Sequence, residues 1–385
     1  MKCIYKIVIG LTTVFCLLTG IAIPADAGSA DPVTNDGKKW RIGYYEGGPY
    51  ITYQKTLIAM VKGLMEAGWI ETAAIPEQSG EETSDLWGWL AKSARSPYLT
   101  FVKDAHYSAN WEADRREKMA AEILERLRSK GDIDLMIASG TWAGEDLAVN
   151  DHSTPTVVVA TSEPIAAGII KSVEDSGYDH VHATVQPNRH KRQLEIFHDI
   201  VGFKRLGVAY EDTTAGRSIA AIDDIKKFSG DRGIDVVECH TIDSTPDRSV
   251  AEKSVEKCFN ELVDKKVDAV YVVQQLGVND DNISKLVDIF ISSKTPTFSQ
   301  VQSSYVKAGL LMSISQVSFD YSGEFHAEVI GEILNGALPR EVGQVFNAPK
   351  KIAINLKTAD AIGLPISPAI LKSADEIFET IVAPE

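Results

Sequence analysis

Hydroxyl, carboxyl and amide side chains collect where the short apolar runs of this chain stop. Residues 133–138 (IDLMIA) end in Ser139, Gly140 and Thr141, and residues 156–160 (TVVVA) end in Thr161, Ser162 and Glu163. The same punctuation recurs at Tyr44-Tyr45-Glu46, at Tyr210-Glu211-Asp212-Thr213, at Gln274-Gln275 and at Ser299-Gln300. Gln316 and Asp320 follow a further run. Together these residues can grip a small polar solute. Glu46, Glu163, Asp212 or Asp320 can pair with an ammonium. Backbone N–H groups at Gly140, Thr141 and Thr213 suit a carboxylate, and Tyr44, Tyr45 or Tyr210 can stack on a planar ring. The plainer reading of any one of them is a helix cap or a turn. The functional expectation rests on their recurrence.

Other reactive types carry less. His180, His182, His190 and His198 are locally dense, and His180 and His182 would share a strand face in a way that suits a metal. No cysteine or carboxylate cluster accompanies them, so the expectation is a polar strand edge and an exposed helix face, with no metal. Ser304 and Lys307 satisfy S-x-x-K, but the companion S-D-N and K-T-G elements are absent. No G-x-S-x-G, G-x-G-x-x-G or P-loop occurs, so no catalytic residue and no cofactor are expected.

The elements that must position these residues read as alternating strands and helices. Apolar runs of four to eight residues fit parallel strands buried on both faces. They fall at 40–45, 98–103, 133–138, 156–160 and 181–185, then at 205–210, 235–240, 269–273 and 295–298. Helices are expected at 53–67, 114–128, 142–149 and 188–201, then at 218–228, 249–264 and 281–291. The tail adds a strand at 309–315, a helix at 321–334 and a strand at 351–356. The fold class is therefore α/β, with two doubly wound parallel-sheet lobes. In such sheets ligands bind at the carboxyl ends of the strands. The tail implies three crossings between lobes, near Gln186, Gln316 and Gly343, which make a hinge. The expected division is residues 40–187 with 317–343 in the first lobe and 188–316 with 344–385 in the second. Residues 71–97, holding Trp87 and Trp89, read as a long irregular insertion of the first lobe.

Residues 1–27 read as a secretory signal: Lys2 and Lys6, an apolar segment, then Ala25-Asp26-Ala27 as a cleavage site. Residues 28–39 would be a tether, and Cys16 lacks the small neighbours of a lipobox. The product is expected to be periplasmic or otherwise exported, cleaved after Ala27. The 385 residues carry a net charge of −15, which argues against nucleic acid or an anionic membrane as partner. Outside the signal only Cys239 and Cys258 remain, an even number for an oxidising compartment. Cys239 closes a strand and Cys258 lies on the apolar face of the next helix, so a bridge is geometrically open to them. Two buried free thiols are the alternative.

Several segments resemble a known family. Ile354-Asn355-Leu356-Lys357-Thr358-Ala359, followed by Ile362-Gly363-Leu364-Pro365-Ile366, is similar to the closing signature of periplasmic ABC-transporter substrate-binding proteins that include binders of tryptophan and other aromatic amino acids. Ser162-Glu163-Pro164-Ile165-Ala166-Ala167-Gly168 resembles their T-D-P-V-G-A-G segment, and 204–210 resembles their K-R-I-G-V-L-Y strand. Residues 268–272 resemble a further strand. This chain departs from the pattern in carrying Ser162 and Glu163 for Thr and Asp, and in the length of 71–97. The resemblance implies a type I bilobal binding fold and delivery of a small ligand, an amino acid with aromatic ones included, to an ABC permease. A membrane sensor served by the same fold is the alternative; a periplasmic enzyme or a metal-binding protein ranks below it. No stable oligomer is expected.

Overall fold

The computed structural model describes residues 29–384; the expected signal segment lies outside the described residues. Two sheets account for the strands among them. The first contains β1 (Trp40–Glu46), β2 (Leu99–Ser108), β3 (Leu135–Ser139), β4 (Thr156–Val159) and β5 (Val181–Ala183), in the order β2-β1-β3-β4-β5 with every pair parallel. The second contains β6 (Arg205–Tyr210), β7 (Asp235–His240), β8 (Ala269–Val272), β9 (Thr297–Ser299), β10 (Met312–Gln316), β11 (Lys350–Asn355) and β12 (Glu376–Phe378). Its order is β12-β11-β10-β9-β8-β6-β7, parallel except between β10 and β11.

The central strands of both sheets are buried on both faces, which is why β3, β4, β6 and β8 read as apolar runs. Alternation decides which core each residue joins. On β3, Leu135 and Ile137 enter one core while Met136 and Ala138 enter the core behind the sheet. On β8, Ala269 and Tyr271 divide from Val270 and Val272 in the same manner. Helices cover these faces.

The chain changes sheet three times. After β5, helix Arg189–Val201 buries Leu194 and Phe197 in the core of the second sheet. After β10, helix Asp320–Leu334 buries Ala327, Val329, Ile330 and Ile333 in the core of the first. The return stretch then runs beside the other two: the Val185 N–H donates to Gln344 O at 2.8 Å, Phe346 N–H to Val185 O at 2.9 Å and Val317 N–H to Pro349 O at 3.1 Å. Helix Asp320–Leu334 docks on helix Ile51–Glu66 by direct backbone approach. A Cβ placed on Gly63 would lie 2.4 Å from Gly323 O, and one on Gly323 would lie 2.1 Å from Ala59 O.

Two expectations need correction. Residues 71–97 are not irregular throughout, because helix Ser84–Lys92 forms within them. Its Trp87 is buried, meets Phe101 edge-on at 5.4 Å and donates its indole N–H to Val102 O at 3.0 Å. Those contacts close the face of the edge strand β2. The helix expected at 218–228 is two helices, Thr214–Ile219 and Ile222–Arg232, parted at Ala221, whose φ is 53°. Thr213 Oγ1 accepts from the Gly216 N–H at 3.0 Å and starts the first of them.

Cys239 and Cys258 are joined by a disulfide that ties β7 to helix Arg248–Asp264. Closing a loop of this length removes chain entropy from the unfolded state worth about 3 kcal/mol. Intact mass should show no free thiol before reduction, and Cys258→Ser should lower unfolding free energy in denaturant by about that amount. Gly323→Ala should be worse tolerated than an alanine at the open Gly88 of helix Ser84–Lys92, seen as a drop in thermal midpoint of several degrees or more, about 1–3 kcal/mol of overpacking.

Candidate functional site

A cavity of about 780 Å³ lies where the two sheets and the three crossings meet. Helix Ile51–Glu66 contributes Thr52, Lys55 and Thr56 from its first turns, and the loop after β4 contributes Thr161 and Ser162. From the second sheet come Gln274 after β8 and residues 301–304 after β9. The crossings supply Thr184, Gln186, Gln316, Val317 and Phe346, and Lys350 begins β11. Arg189, Arg192 and Gln193 reach in from helix Arg189–Val201, and His326 from helix Asp320–Leu334. A cavity of this size is within the usual range for small-molecule sites, about 300–1,000 Å³.

Of the residues singled out in the sequence, Ser162, Gln274 and Gln316 line this cavity. Gln274 and Gln275 also face a second, much smaller pocket of about 30 Å³, in which Tyr50, Tyr53, Trp111 and Trp142 oppose Glu211 and Asp243. Asp243 is partly buried there, and desolvation pushes its carboxyl up to about 7. Gly140 has φ 86° and lies directly under the Tyr53 hydroxyl, next to that pocket, with Thr141 buried beside it.

The others serve elsewhere. Glu46 is 1% exposed and accepts from Tyr44 Oη at 2.9 Å and Thr83 Oγ1 at 2.8 Å, a closed knot inside the first sheet's core. Burial holds this carboxyl at about 7. Tyr45 Oη donates to Asp146 Oδ2 at 2.7 Å, and Arg116 clasps the same carboxylate at 2.8 Å. Tyr210 donates to Glu238. Asp212 is exposed and pairs with Arg217 at 3.1 Å, while Thr213 serves as the helix cap described above. Gln275 is occupied by Ala209 O and Thr241 Oγ1 at 3.0 and 2.9 Å. Ser299 Oγ donates to Gln302 O at 3.0 Å, and Asp320, exposed, accepts from Ser318 Oγ at 2.8 Å.

Glu163 and Gln300 join instead in a buried network that spans the two sheets' territories. Glu163 Oε1 lies 3.3 Å from His190 Nε2, and Ser218 Oγ donates to Glu163 O at 2.8 Å. His190 Nδ1 lies 3.3 Å from Tyr271 Oη, which donates to Gln193 Oε1 at 2.5 Å. Gln193 Nε2 then donates to Gln300 O at 2.9 Å and to Ile314 O at 2.8 Å. Burial, then the neighbouring Arg189, holds His190 well below the usual histidine range, so it is neutral. Burial, then Asp224, pushes Glu163 up to about 7.

The sequence reading missed the cations of the lining, Lys55, Arg189, Lys191, Arg192, Lys350 and Lys351. A hint lay in the run Arg189-His190-Lys191-Arg192, which opens its helix with no acidic residue in the first turn. The helix dipole favours acids at that end, so a basic first turn calls for an explanation.

The model of the family described as "ABC transporter substrate binding protein" matches residues 102–378. The chain belongs to that family. No curated protein matches the chain by sequence. Among solved structures it is similar to an ABC domain from Streptococcus pneumonia in complex with L-Trp, with TM-score 0.65 and 19% identity over 89% of this chain and 100% of that one. A ligand-free, open substrate binding protein with adhesive properties from Clostridium difficile gives TM-score 0.55 and 20% identity over 89% and 99% of the two chains. A solute binding protein of an ABC transporter from R. palustris in complex with benzoate gives TM-score 0.52 and 14% identity over 82% and 92%. The fold is the type I periplasmic binding fold. A substrate-binding protein of this family binds a small ligand and is not an enzyme. No helix among the described residues is long and apolar enough to cross a membrane.

Glu163 gives a test of the buried network. It binds its proton more tightly in the folded chain than in the unfolded one, where its pKa is the ordinary 4.5 or so. Its contribution to stability therefore falls as pH rises from about 4.5 through 7, and the loss is complete above that. Glu163→Gln cannot ionise. The stability of this variant relative to wild type should rise between pH 5 and pH 8, measured by denaturant unfolding at each pH; a pH-independent difference would show that the carboxyl is not buried as described.

Proposed function

We propose that the protein is an exported solute-binding protein that traps a small polar ligand between two lobes and delivers it to an ABC permease. The observation that carries this reading is the cavity itself. Its wall is shared by helix Ile51–Glu66 of the first sheet's layer, by loops after β8 and β9 of the second, and by all three crossings. A ligand there touches both halves at once, and only such a ligand has the differential affinity that shifts an open–closed equilibrium.

The lobes we assign are residues 40–187 with 317–343, and 188–316 with 344–385. The core memberships of helices Arg189–Val201 and Asp320–Leu334 support that division. Three strands of chain between lobes favour hinge motion over free tumbling. Export is supported by the disulfide, which suits an oxidising compartment, and by the signal-like start of the sequence. An amino acid as cargo, aromatic ones included, is supported by the motifs around Glu163 and Ile354 and by the L-Trp in the pneumococcal neighbour.

Native mass spectrometry of freshly purified protein should reveal a small cargo. After removal of that cargo by unfolding and refolding, adding it back should reduce the radius of gyration in small-angle scattering. A protein that carries nothing and keeps one radius under every solute tried would exclude the trap.

A further inference from the structure

The cavity's charge is unlike that of the protein around it. The chain carries −15, yet Lys55, Arg189, Arg192 and Lys350 all line one cavity. Among the described residues no carboxylate lies within 4.0 Å of any of these four, although most other arginines of the chain are ion-paired. Among the described residues the only carboxylate in the lining is Glu195, and it faces Lys191 at 4.0 Å and Arg232 at 3.7 Å. Arg189 is partly buried and finds just the Gln300 carbonyl, at 3.2 Å. Lys350 donates to the Gln186 amide oxygen. Burial, and then the charges of Arg189 and Arg192, pull its ammonium down to about 8.

No acid stands ready for an ammonium in this cavity. Glu46 is closed in its knot with Tyr44 and Thr83, Asp212 pairs with Arg217 outside, and Glu163 faces His190. A zwitterionic amino acid would leave its positive end among four cations. An anion would neutralise them, and a guanidinium offers the paired N–H geometry that a carboxylate accepts.

Building on the trap reading above, but in place of an amino acid as its cargo, we propose that the cargo is a small organic carboxylate of net negative charge, held by Arg189 and Lys350 with Lys55 and Arg192 around it.

The test uses cargo-stripped, refolded protein in low salt, titrated calorimetrically with benzoate, succinate, citrate, L-tryptophan and L-leucine. At least one carboxylate should bind, and neither amino acid should bind as tightly. Losing one charge-assisted contact weakens binding roughly tenfold or more, so Arg189→Gln and Lys350→Gln should each show that loss. Arg189→Lys, which keeps the charge, should recover part of it, and Lys226→Gln, remote from the cavity, should bind as wild type. Matching thermal midpoints separate a charge effect from misfolding. If an amino acid binds and shrinks the radius of gyration while no carboxylate binds, the anion assignment is overturned and the trap stands. Carboxylate binding that ignores both glutamine variants also overturns the assignment. Binding of none of the five, with an unchanged radius, overturns the assignment and counts against the trap.

Discussion

Helix Ile51–Glu66 and helix Asp320–Leu334 meet backbone to backbone at Gly63 and Gly323, and much of the architecture depends on that meeting. With side chains at either position the helices would stand further apart, because a Cβ there would sit 2.1–2.4 Å from the opposing carbonyl. The contact draws the chain back to the first sheet directly after β10 of the second. The return stretch must then cross again to form β11, and it does so hydrogen-bonded to Val185 and Val317. One close helix crossing thus produces three adjacent strands of chain between the sheets. These adjacent connections run along one line, and the cavity lies against it.

Buried titratable groups are placed according to what holds them. Glu46, Glu163 and Asp243 all have carboxyls pushed to about 7 by burial. None is paired with a guanidinium within 4.0 Å. Hydroxyls, backbone N–H groups or a neutral imidazole satisfy them instead. Hydrogen-bonded neutral acids specify geometry without the cost of desolvating an ion pair. The cavity cations follow the opposite rule: they keep charge where solvent still reaches.

How much of this was legible in the sequence follows from what each signal measures. Strands buried on both faces leave apolar runs, so β3, β4, β6 and β8 were placed to within a residue or two. Helix Ser84–Lys92 was not, since its order comes from Trp87 seated on Phe101, a contact across sequence. The break at Ala221 was missed because alanine gives no warning of a positive φ. Site residues were chosen by the rule that ligands sit at strand ends. That rule found Ser162, Gln274 and Gln316, but it also chose Glu46, a strand end sealed by Thr83 from a segment whose fold periodicity did not reveal. The lining cations come from first helical turns and from the start of β11, positions which a strand-end rule passes over.

The distribution of those cations bears on how closure is controlled. Lys55 belongs to the first sheet's layer, whereas Arg189 and Arg192 belong to the second's and Lys350 stands at the last crossing. Bringing the halves together without an anion brings like charges toward one another across a cavity whose walls have lower dielectric than water, where repulsion is stronger than in bulk. An anion between them reverses the sign of that term. The Glu163–His190 contact cannot supply the same control, because with the imidazole neutral it has little charge to respond to a ligand. On the proposal of an anionic cargo, charge repulsion that the cargo relieves would keep the empty trap open and couple occupancy to closure, without any further moving part.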